Sequence, residues 1–419
     1  MTQKSLQDKR GRRGWKIGAF ITAGVLVAGG AVGIVTAPTW AGLGGEAGDS
    51  PSGEAPVLPG LSDPVAKTVS FGVTPTDGAV EVNPATVPEI RADNATIADV
   101  ELRPAGGGTP VEGALSEDDS LWTADQRLAF NTEYSFEVVF VDGAGQESTH
   151  NQGFTTVAPA NEANAFTYPV DGATVGTGQT IEITFSEPVI NKDDVEEAIE
   201  ITSTSGQGGA FYWLEDTKVR YRPQDFWEPN STITIDMKLF GVDFGNGMIG
   251  NFDKTNTFQT HSTRLAVVDN KTKDMKVYID GKLDRTFPVT LGTEEWPSFY
   301  GYYTVMEQYE ETKFTAESIG LEPGDDAYYE PTLVNYASRI SNGGAFVHEA
   351  LPAAQSTLGL TNVSHGCVGM SPEGAKYFYD VFGPGDMVQI LNTSTGPVQV
   401  WDGFGDWNVP WSEWTSQPS

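Results

Sequence analysis

The sequence predicts a mainly β chain in which two tandem β-sandwiches precede a third, mostly-β domain with one or two short helices. The 48 glycines and 25 prolines among 419 residues favour turns and short strands over long helices. Alternating apolar and polar runs, such as residues 134–140 and 181–185, are typical of half-buried strands. A stretch of about 95 residues also recurs, which indicates two copies of one structural unit.

The N-terminus has the character of an export signal. Six Lys or Arg residues lie within residues 1–16, and residues 17–37 are uncharged and mostly Ala, Val, Ile and Gly. We expect residues 1–41 to be a cleaved signal peptide or a membrane anchor that contacts the membrane if it is uncleaved; both remain open. Residues 42–63 are rich in Gly, Pro and Ser, which predicts a disordered linker.

The repeat defines the two predicted sandwiches, residues 64–158 and 159–262. Neither copy has a Cys pair or a cluster of His, Asp and Glu, so we expect structural spacers, with polymer binding as the alternative. The matching segments are Pro75-Thr76-Asp77-Gly78-Ala79 with Pro169-Val170-Asp171-Gly172-Ala173, Trp122 with Trp213, Asn131-Thr132 with Asn230-Ser231, and Phe154-Thr155-Thr156 with Phe258-Gln259-Thr260.

A third domain is predicted at residues 263–392. Residues 265–268, 276–279 and 387–391 read as strands, and Asp280-Gly281 is typical of a tight hairpin turn. Ser371-Pro372 begins a predicted helix directly after the only cysteine.

The C-terminal extension, residues 393–419, is rich in tryptophan. Trp407, Trp411 and Trp414 have helix-like spacing, so we expect them to pack as a wedge between the third domain and the domain that precedes it. A sugar-binding platform is the alternative.

Charge and cysteine content exclude several classes of protein. Fifty-seven acidic residues against 25 Lys and Arg give a formal charge of −32, which disfavours binding to nucleic acid. The single cysteine, Cys367, excludes an intramolecular disulfide and any Cys-rich zinc or iron–sulfur site.

The candidate site surrounds this cysteine, because two of the four histidines, His348 and His365, lie within 20 residues of it. A loop glycine, Gly366, and the start of the next helix are features that lower a thiol pKa, and a histidine can both accept and donate a proton near neutrality. The residues alone leave three interpretations open: a nucleophilic thiol, a structural thiol, or a zinc site of His348, His365 and Cys367.

The motif resembles the active-site signature of the bacterial L,D-transpeptidases. It consists of His348, fifteen residues, and then Ser364-His365-Gly366-Cys367. The segments 297–305 and 343–348 are similar to the strands of that family that precede the motif, and residues 402–411 resemble the C-terminal extension of its mycobacterial-type members. Those members also carry two immunoglobulin-like domains before the catalytic one.

The resemblance implies an acyltransferase that acts on peptidoglycan stem peptides, taking a donor tetrapeptide and an acceptor stem. The cysteine attacks the third stem residue, expels the terminal D-Ala and forms a thioester, which an amine of a second stem resolves to a 3→3 cross-link. It also implies acylation by carbapenems and no metal or organic cofactor. We expect an exported enzyme at the outer face of the membrane or in the cell wall, and a monomer.

The resemblance also assigns roles to residues. Cys367 is the nucleophile, and His348 is the general acid and base, oriented by a backbone carbonyl. His365 and Gly366 shape the loop and the oxyanion site. The implied substrate-binding residues are Tyr329 in a lid loop, Gly343 and Gly344 on the strand that lines the donor site, and Gly369.

Position 369 departs from the family, which normally has Asn or Arg two residues after the cysteine. A substrate-positioning side chain is therefore missing. Glu349, which directly follows His348, would raise the pKa of this histidine if its carboxylate faced the ring. Two alternatives stay open: an L,D-carboxypeptidase that uses water as the acceptor, and a non-catalytic wall-binding scaffold.

Overall fold

The computed structural model describes residues 68–158, 162–325 and 328–417. These residues form two compact units, residues 68–82 with 86–156, and residues 83–85 with 157–417. The predicted export segment, residues 1–41, and the predicted linker, residues 42–63, both lie outside the described residues. Among the described residues, no helix is both long enough and apolar enough to cross a membrane.

The first unit is a β-sandwich. One sheet has the order β1-β2-β5-β4 and the other β3-β6-β7. Alternate residues of β6 point inward, and Phe136, Val138 and Phe140 pack there with Trp122 and Ile90 in the core. The strands are β1 (Phe71–Thr74), β2 (Glu89–Ala92), β3 (Ala95–Pro104), β4 (Gly113–Leu115), β5 (Leu121–Ala124), β6 (Glu133–Asp142) and β7 (Glu147–Thr155).

The second repeat, which belongs to the second unit, is also a sandwich. Its main sheets have the orders β13-β14-β11-β9 and β10-β18-β15-β12, and a small third sheet has the order β16-β17-β8. Its elements are β8 (Glu162–Ala163), β9 (Ala165–Tyr168), β10 (Thr174–Val175), β11 (Ile181–Phe185), α1 (Lys192–Glu197), β12 (Ile199–Ser203), β13 (Gly209–Glu215), β14 (Lys218–Pro223), β15 (Thr232–Lys238), β16 (Asp243–Gly245), β17 (Met248–Gly250) and β18 (Asp253–Thr260).

The third region is built on a nine-stranded sheet of order β22-β27-β19-β20-β21-β26-β25-β24-β23. Helix α2 packs against β24, β25 and β26 and buries Ala375 and Phe378. The elements are β19 (Arg264–Asp269), β20 (Asp274–Ile279), β21 (Lys282–Thr290), β22 (Gly301–Thr304), β23 (Glu307–Phe314), a 3-10 helix (Ala316–Ile319), β24 (Thr332–Arg339), β25 (Phe346–Glu349), a 3-10 helix (Pro352–Thr357), β26 (Val368–Met370), α2 (Pro372–Val381) and β27 (Met387–Leu391).

Local sequence signals explain several of these elements. Asp280 and Gly281 both have positive φ, as a tight two-residue turn between β20 and β21 requires. Helix α2 begins as predicted, with Pro372 in its first turn and the Ser371 side chain accepting a hydrogen bond from the Gly374 N–H. However, β26 lies between Cys367 and this helix, so the prediction that the helix follows the cysteine directly is wrong.

The tryptophans of the C-terminal extension pack against the second repeat. The guanidinium of Arg222 in β14 lies over the rings of Trp407, Trp411 and Trp414 at 4.8, 5.3 and 4.4 Å. Trp414 is fully buried and donates its indole N–H to the carbonyl of Ala210 at 2.9 Å. The wedge is therefore observed, although it consists of a 3-10 helix (Asp406–Asn408) and a separate short helix α3 (Trp411–Trp414).

The prediction of a mainly β chain with tandem sandwiches and a mostly-β third domain is confirmed. The boundaries at 158, 262 and 392 stay predictions. Within the second unit, the second repeat, the nine-stranded sheet and the extension form one compact body.

Candidate active site

Three neighbouring strands of the nine-stranded sheet position the candidate site. Strand β26 pairs in parallel with β25, which places Gly369 opposite His348, and antiparallel with β21, which places Gly369 opposite Thr290. Cys367 immediately precedes β26, so its thiol lies at the end of this strand and next to the turn that leads into β25. The pairing of β25 with β26 thus brings Cys367 and His348, which are 19 residues apart in sequence, to one cavity.

The thiol of Cys367 is held by backbone groups around β25. Its sulfur donates to the carbonyl of Gly344 at 3.6 Å, and the Phe346 N–H hydrogen-bonds to it. The residue keeps some exposure, but burial of the sulfur raises its pKa to about 11, and the Phe346 N–H only partly opposes this. The expectation that the loop and the helix lower this pKa is therefore wrong.

His348 is 8% exposed and lies in β25. Burial lowers its pKa to about 4, and the hydrogen bond between Nδ1 and the Glu349 carbonyl at 2.7 Å opposes the shift. The side chain of Glu349 instead accepts from Asn335 at 3.2 Å, and the predicted rise of the His348 pKa does not occur. With Nδ1–H donating to this carbonyl, Nε2 is the unprotonated nitrogen.

The loop before Cys367 is fixed by two serines. Ser364 Oγ donates to the Cys367 carbonyl at 2.7 Å and accepts from the Gly366 N–H at 3.2 Å. Buried Ser298 donates to the Gly366 carbonyl at 2.8 Å. The Gly366 N–H is thus already used within the loop, whereas we expected it to contribute to an oxyanion site.

Two cavities reach the thiol. The first, about 210 Å³, contains His348 and Gly369, and the described residues that line it include no Asp, Glu, Lys or Arg. The second, about 190 Å³, contains Gly344 and two cations, Lys313 and Arg339. Four residues line both cavities: Phe314, Tyr329, His365 and Cys367.

Three more of the predicted residues, Tyr329, His365 and Gly344, line one or both of these cavities, whereas Gly343 lines neither. Tyr329 lies in the connection between β23 and β24, and its ring is tilted by 42° to that of exposed His365 at 5.5 Å. Gly343 donates its N–H to Asp402 at 2.6 Å, and Gly344 has φ 93°. Both glycines lie in the turn before β25 and not on the strand itself, because β25 begins at Phe346.

Sequence reasoning missed three residues of the site. Phe314 packs its ring 5.2 Å from that of His348 and contributes to the burial that shifts this histidine. Thr290 is fully buried beside Gly369, and Ser298 supports the cysteine loop. Ser298 lies in the 297–305 segment that was already singled out, whereas Phe314 and Thr290 carry no motif.

Metal chemistry was one of the interpretations open at the outset. Across residues 68–158, 162–325 and 328–417, no group of three or more His, Cys, Asp or Glu residues is arranged to hold a metal ion. The two ring nitrogens of His348 face different surroundings, with Nδ1 on a backbone carbonyl.

Two protein families match this chain. The bacterial Ig domain family matches residues 79–243, and the L,D-transpeptidase catalytic domain family matches residues 263–390. L,D-transpeptidase 2 of Mycobacterium tuberculosis is 34% identical over 339 residues, which cover 81% of this chain and 82% of that protein. L,D-transpeptidase 5 of the same species is 28% identical over 360 residues, with 84% and 77% covered.

Among solved structures, L,D-transpeptidase 3 from Mycobacterium tuberculosis, in complex with a faropenem-derived adduct, has a TM-score of 0.46 and 29% identity. That match covers 56% of this chain and 98% of the other. The sequence relationship to L,D-transpeptidase 2, which extends over the repeats as well as the candidate site, decides the assignment. The chain belongs to the L,D-transpeptidase family.

Proposed function

We propose that this chain forms 3→3 cross-links in peptidoglycan through a thioester on Cys367, with release of D-Ala from a tetrapeptide stem. One observation carries the proposal: Cys367 and His348 line one cavity, and the Nδ1 of His348 is tied to a backbone carbonyl. An imidazole held in this way presents Nε2 as a base toward the cavity. Export to the outer face of the membrane or the wall is part of the proposal.

The directions of the pKa shifts define the resting state. At pH 7, a thiol with pKa about 11 is protonated and an imidazole with pKa about 4 is neutral. The pair therefore starts as two neutral groups and not as a thiolate beside an imidazolium. His348 then acts as a general base while the sulfur attacks.

In the first half-reaction, Nε2 of His348 takes the thiol proton as Sγ attacks the carbonyl carbon of the third stem residue. The tetrahedral intermediate collapses when the imidazolium gives this proton to the leaving amine of D-Ala. A thioester on Cys367 and free D-Ala result. The backbone N–H of Cys367 is our candidate for stabilising the oxyanion, because the Gly366 N–H already bonds Ser364.

The second half-reaction needs an uncharged amine. The cavity of His348 has no charged residue among its described lining, and such surroundings favour the neutral form of an amine. We therefore place the acceptor amine in this cavity. The donor stem, which carries carboxylates, lies in the cavity of Lys313 and Arg339, beside Gly344. Nε2 removes the proton of the attacking amine, the amide forms, and the sulfur leaves and is reprotonated.

Mass spectrometry of the full chain incubated with disaccharide-tetrapeptide tests this proposal. The parent should give a dimer that has lost one D-Ala, and Cys367→Ala should release none. His348→Gln should slow the reaction at least about 100-fold, because it removes the general base. The matched control is His150→Gln, which changes the histidine of the first unit.

Each outcome has a distinct meaning. Tripeptide without dimer would make water the acceptor and the chain an L,D-carboxypeptidase. Undiminished release of D-Ala by Cys367→Ala would contradict the proposal. A carbapenem provides a second probe of the same thiol, since we also propose that carbapenems acylate Cys367: intact mass should show one adduct on the parent and none on Cys367→Ala.

A further inference from the structure

Gly369 leaves a space on the face of the sheet beside His348, and a side chain of the adjacent strand β21 fills that space. Thr290, Gly369 and His348 are paired residues on three adjacent strands, so their side-chain positions form one row on the same face. The central member has no side chain. A Cβ built at Gly369 would lie 2.8 Å from the Thr290 methyl carbon and 3.2 Å from the Ala350 Cβ.

The hydroxyl and the methyl group of Thr290 have different contacts. Its hydroxyl donates to the Thr361 carbonyl at 2.9 Å and accepts from the Val363 N–H at 3.0 Å, directly before the Ser364-His365-Gly366-Cys367 loop. Both roles of the hydroxyl are thereby used. The methyl is left to face the space above Gly369, and Thr290, Gly369 and His348 all line the first cavity.

We infer that Thr290 takes the place of the side chain missing at position 369 and is a specificity-determining residue for the acyl acceptor. Its methyl forms the wall of the acceptor cavity that faces His348, and its hydroxyl positions the loop that carries the nucleophile. The role of Thr290 in acceptor specificity rests on the proposed function, whereas the steric pairing of Thr290 with Gly369 is independent of it.

Other parts of the same segment support the positioning role. The Ser364 N–H donates to the Leu291 carbonyl at 3.0 Å, and the Thr293 N–H donates to the Ser364 carbonyl at 3.0 Å. The residues that follow β21 thus hold Ser364 in place by backbone hydrogen bonds, and Thr290 adds side-chain hydrogen bonds to Thr361 and Val363.

Two single substitutions separate the methyl from the hydroxyl. Thr290→Ser removes the methyl and enlarges the acceptor cavity, so water should compete better and the ratio of dimer to tripeptide should fall about fivefold or more. Thr290→Val keeps the methyl but removes both hydrogen bonds of the hydroxyl. The rate at which iodoacetamide alkylates Cys367 should therefore change about tenfold, while the ratio of dimer to tripeptide stays the same. The matched control is Thr286→Val, an exposed threonine on the same strand.

A double substitution tests the steric pairing. Gly369→Ala alone introduces the 2.8 Å contact and should lower both the melting temperature and D-Ala release. In the Thr290→Ser background the closer contact is gone and only the 3.2 Å contact with the Ala350 Cβ remains, so Gly369→Ala should be better tolerated and the two changes should be strongly non-additive.

Additive effects, or a fully active Gly369→Ala single variant, would overturn the inference. An unchanged product ratio in Thr290→Ser would overturn the acceptor assignment. If no variant and not even the parent released D-Ala, the proposed function would fail, while the melting temperatures and alkylation rates would still report on Thr290 and Gly369.

Discussion

The two β-sandwich repeats are built alike but are used differently. In both, a threonine closes the same corner, at the end of β18 in the second repeat and one residue after β7 in the first: Thr156 donates to Ala129 and accepts from Thr132, and Thr260 donates to Glu228 and accepts from Ser231. The matching tryptophans, Trp122 and Trp213, are both 5% exposed. The internal scaffold of the repeat is thus retained.

The surfaces of the two repeats differ. The first repeat forms a unit of its own, whereas the second shares a unit with the nine-stranded sheet and the extension. In the second repeat, Arg220 forms ion pairs with Glu182 at 2.8 Å and with fully buried Asp406 at 2.9 Å, and Asp406 also accepts from Thr180 at 2.8 Å. The second repeat therefore carries buried charge where it shares a unit with the nine-stranded sheet and the extension.

The largest expected effect comes from breaking this buried network. Arg220→Ala should destabilise the second unit by about 3–5 kcal/mol, because it leaves Asp406 buried without its partner. The equivalent test of the first repeat is Arg103→Ala, which removes an exposed pair with Glu101 and should cost no more than about 1 kcal/mol. Calorimetry with hydrogen–deuterium exchange assigns each loss of stability to a unit. Equal losses of stability in the two variants would remove the distinction between the repeats.

A pH titration sharpens the comparison at a second buried carboxylate of the second unit. Asp386, in the loop before β27, is 1% exposed, and burial raises its pKa to about 7. Its carboxylate oxygens lie 3.5 Å from the guanidinium of Arg264 and 3.7 Å from the imidazole of His261. Because the folded pKa exceeds the unfolded value, the folded state binds the extra proton, so its stability should fall as the pH rises from about 4 to 7.

Asp386→Asn should remove most of this dependence and stabilise the second unit by about 2 kcal/mol at pH 8. Urea unfolding at pH 5 and pH 8 measures the change. A parent whose stability rises over this range would show that Arg264 and His261 outweigh the burial of the carboxylate.

Periodicity and repetition were sufficient to predict the architecture. Alternation in 181–185 corresponds to β11, and residues 387–391 are β27. Both signals are local, since side chains alternate along a strand and a repeated unit retains its turns. The pair of Cys367 and His348 was also predictable, because one motif contains both residues.

The electrostatics of the site were not predictable, because burial is produced by residues distant in sequence. Phe314 of β23 packs against the ring of His348, Val334 of β24 lines the same cavity, and no pattern near the histidine indicates either residue. Desolvation raises the pKa of the Cys367 thiol, and the one group that opposes it, the Phe346 N–H, lies in β25 and not in the loop of the motif. Arg220 and Asp406 lie 186 residues apart, so their pairing is likewise invisible to local patterns.

The smallest expected effect is one that the two repeats should share. Thr156→Val and Thr260→Val each remove a buried hydroxyl that joins two backbone groups, and each should cost about 1 kcal/mol. The loss should appear in the first unit for Thr156→Val and in the second for Thr260→Val, as measured by chemical denaturation with exchange data. If the second loss were much larger, the corner would also support the nine-stranded sheet, and the shared scaffold would not be independent of the charged surface that distinguishes the second repeat.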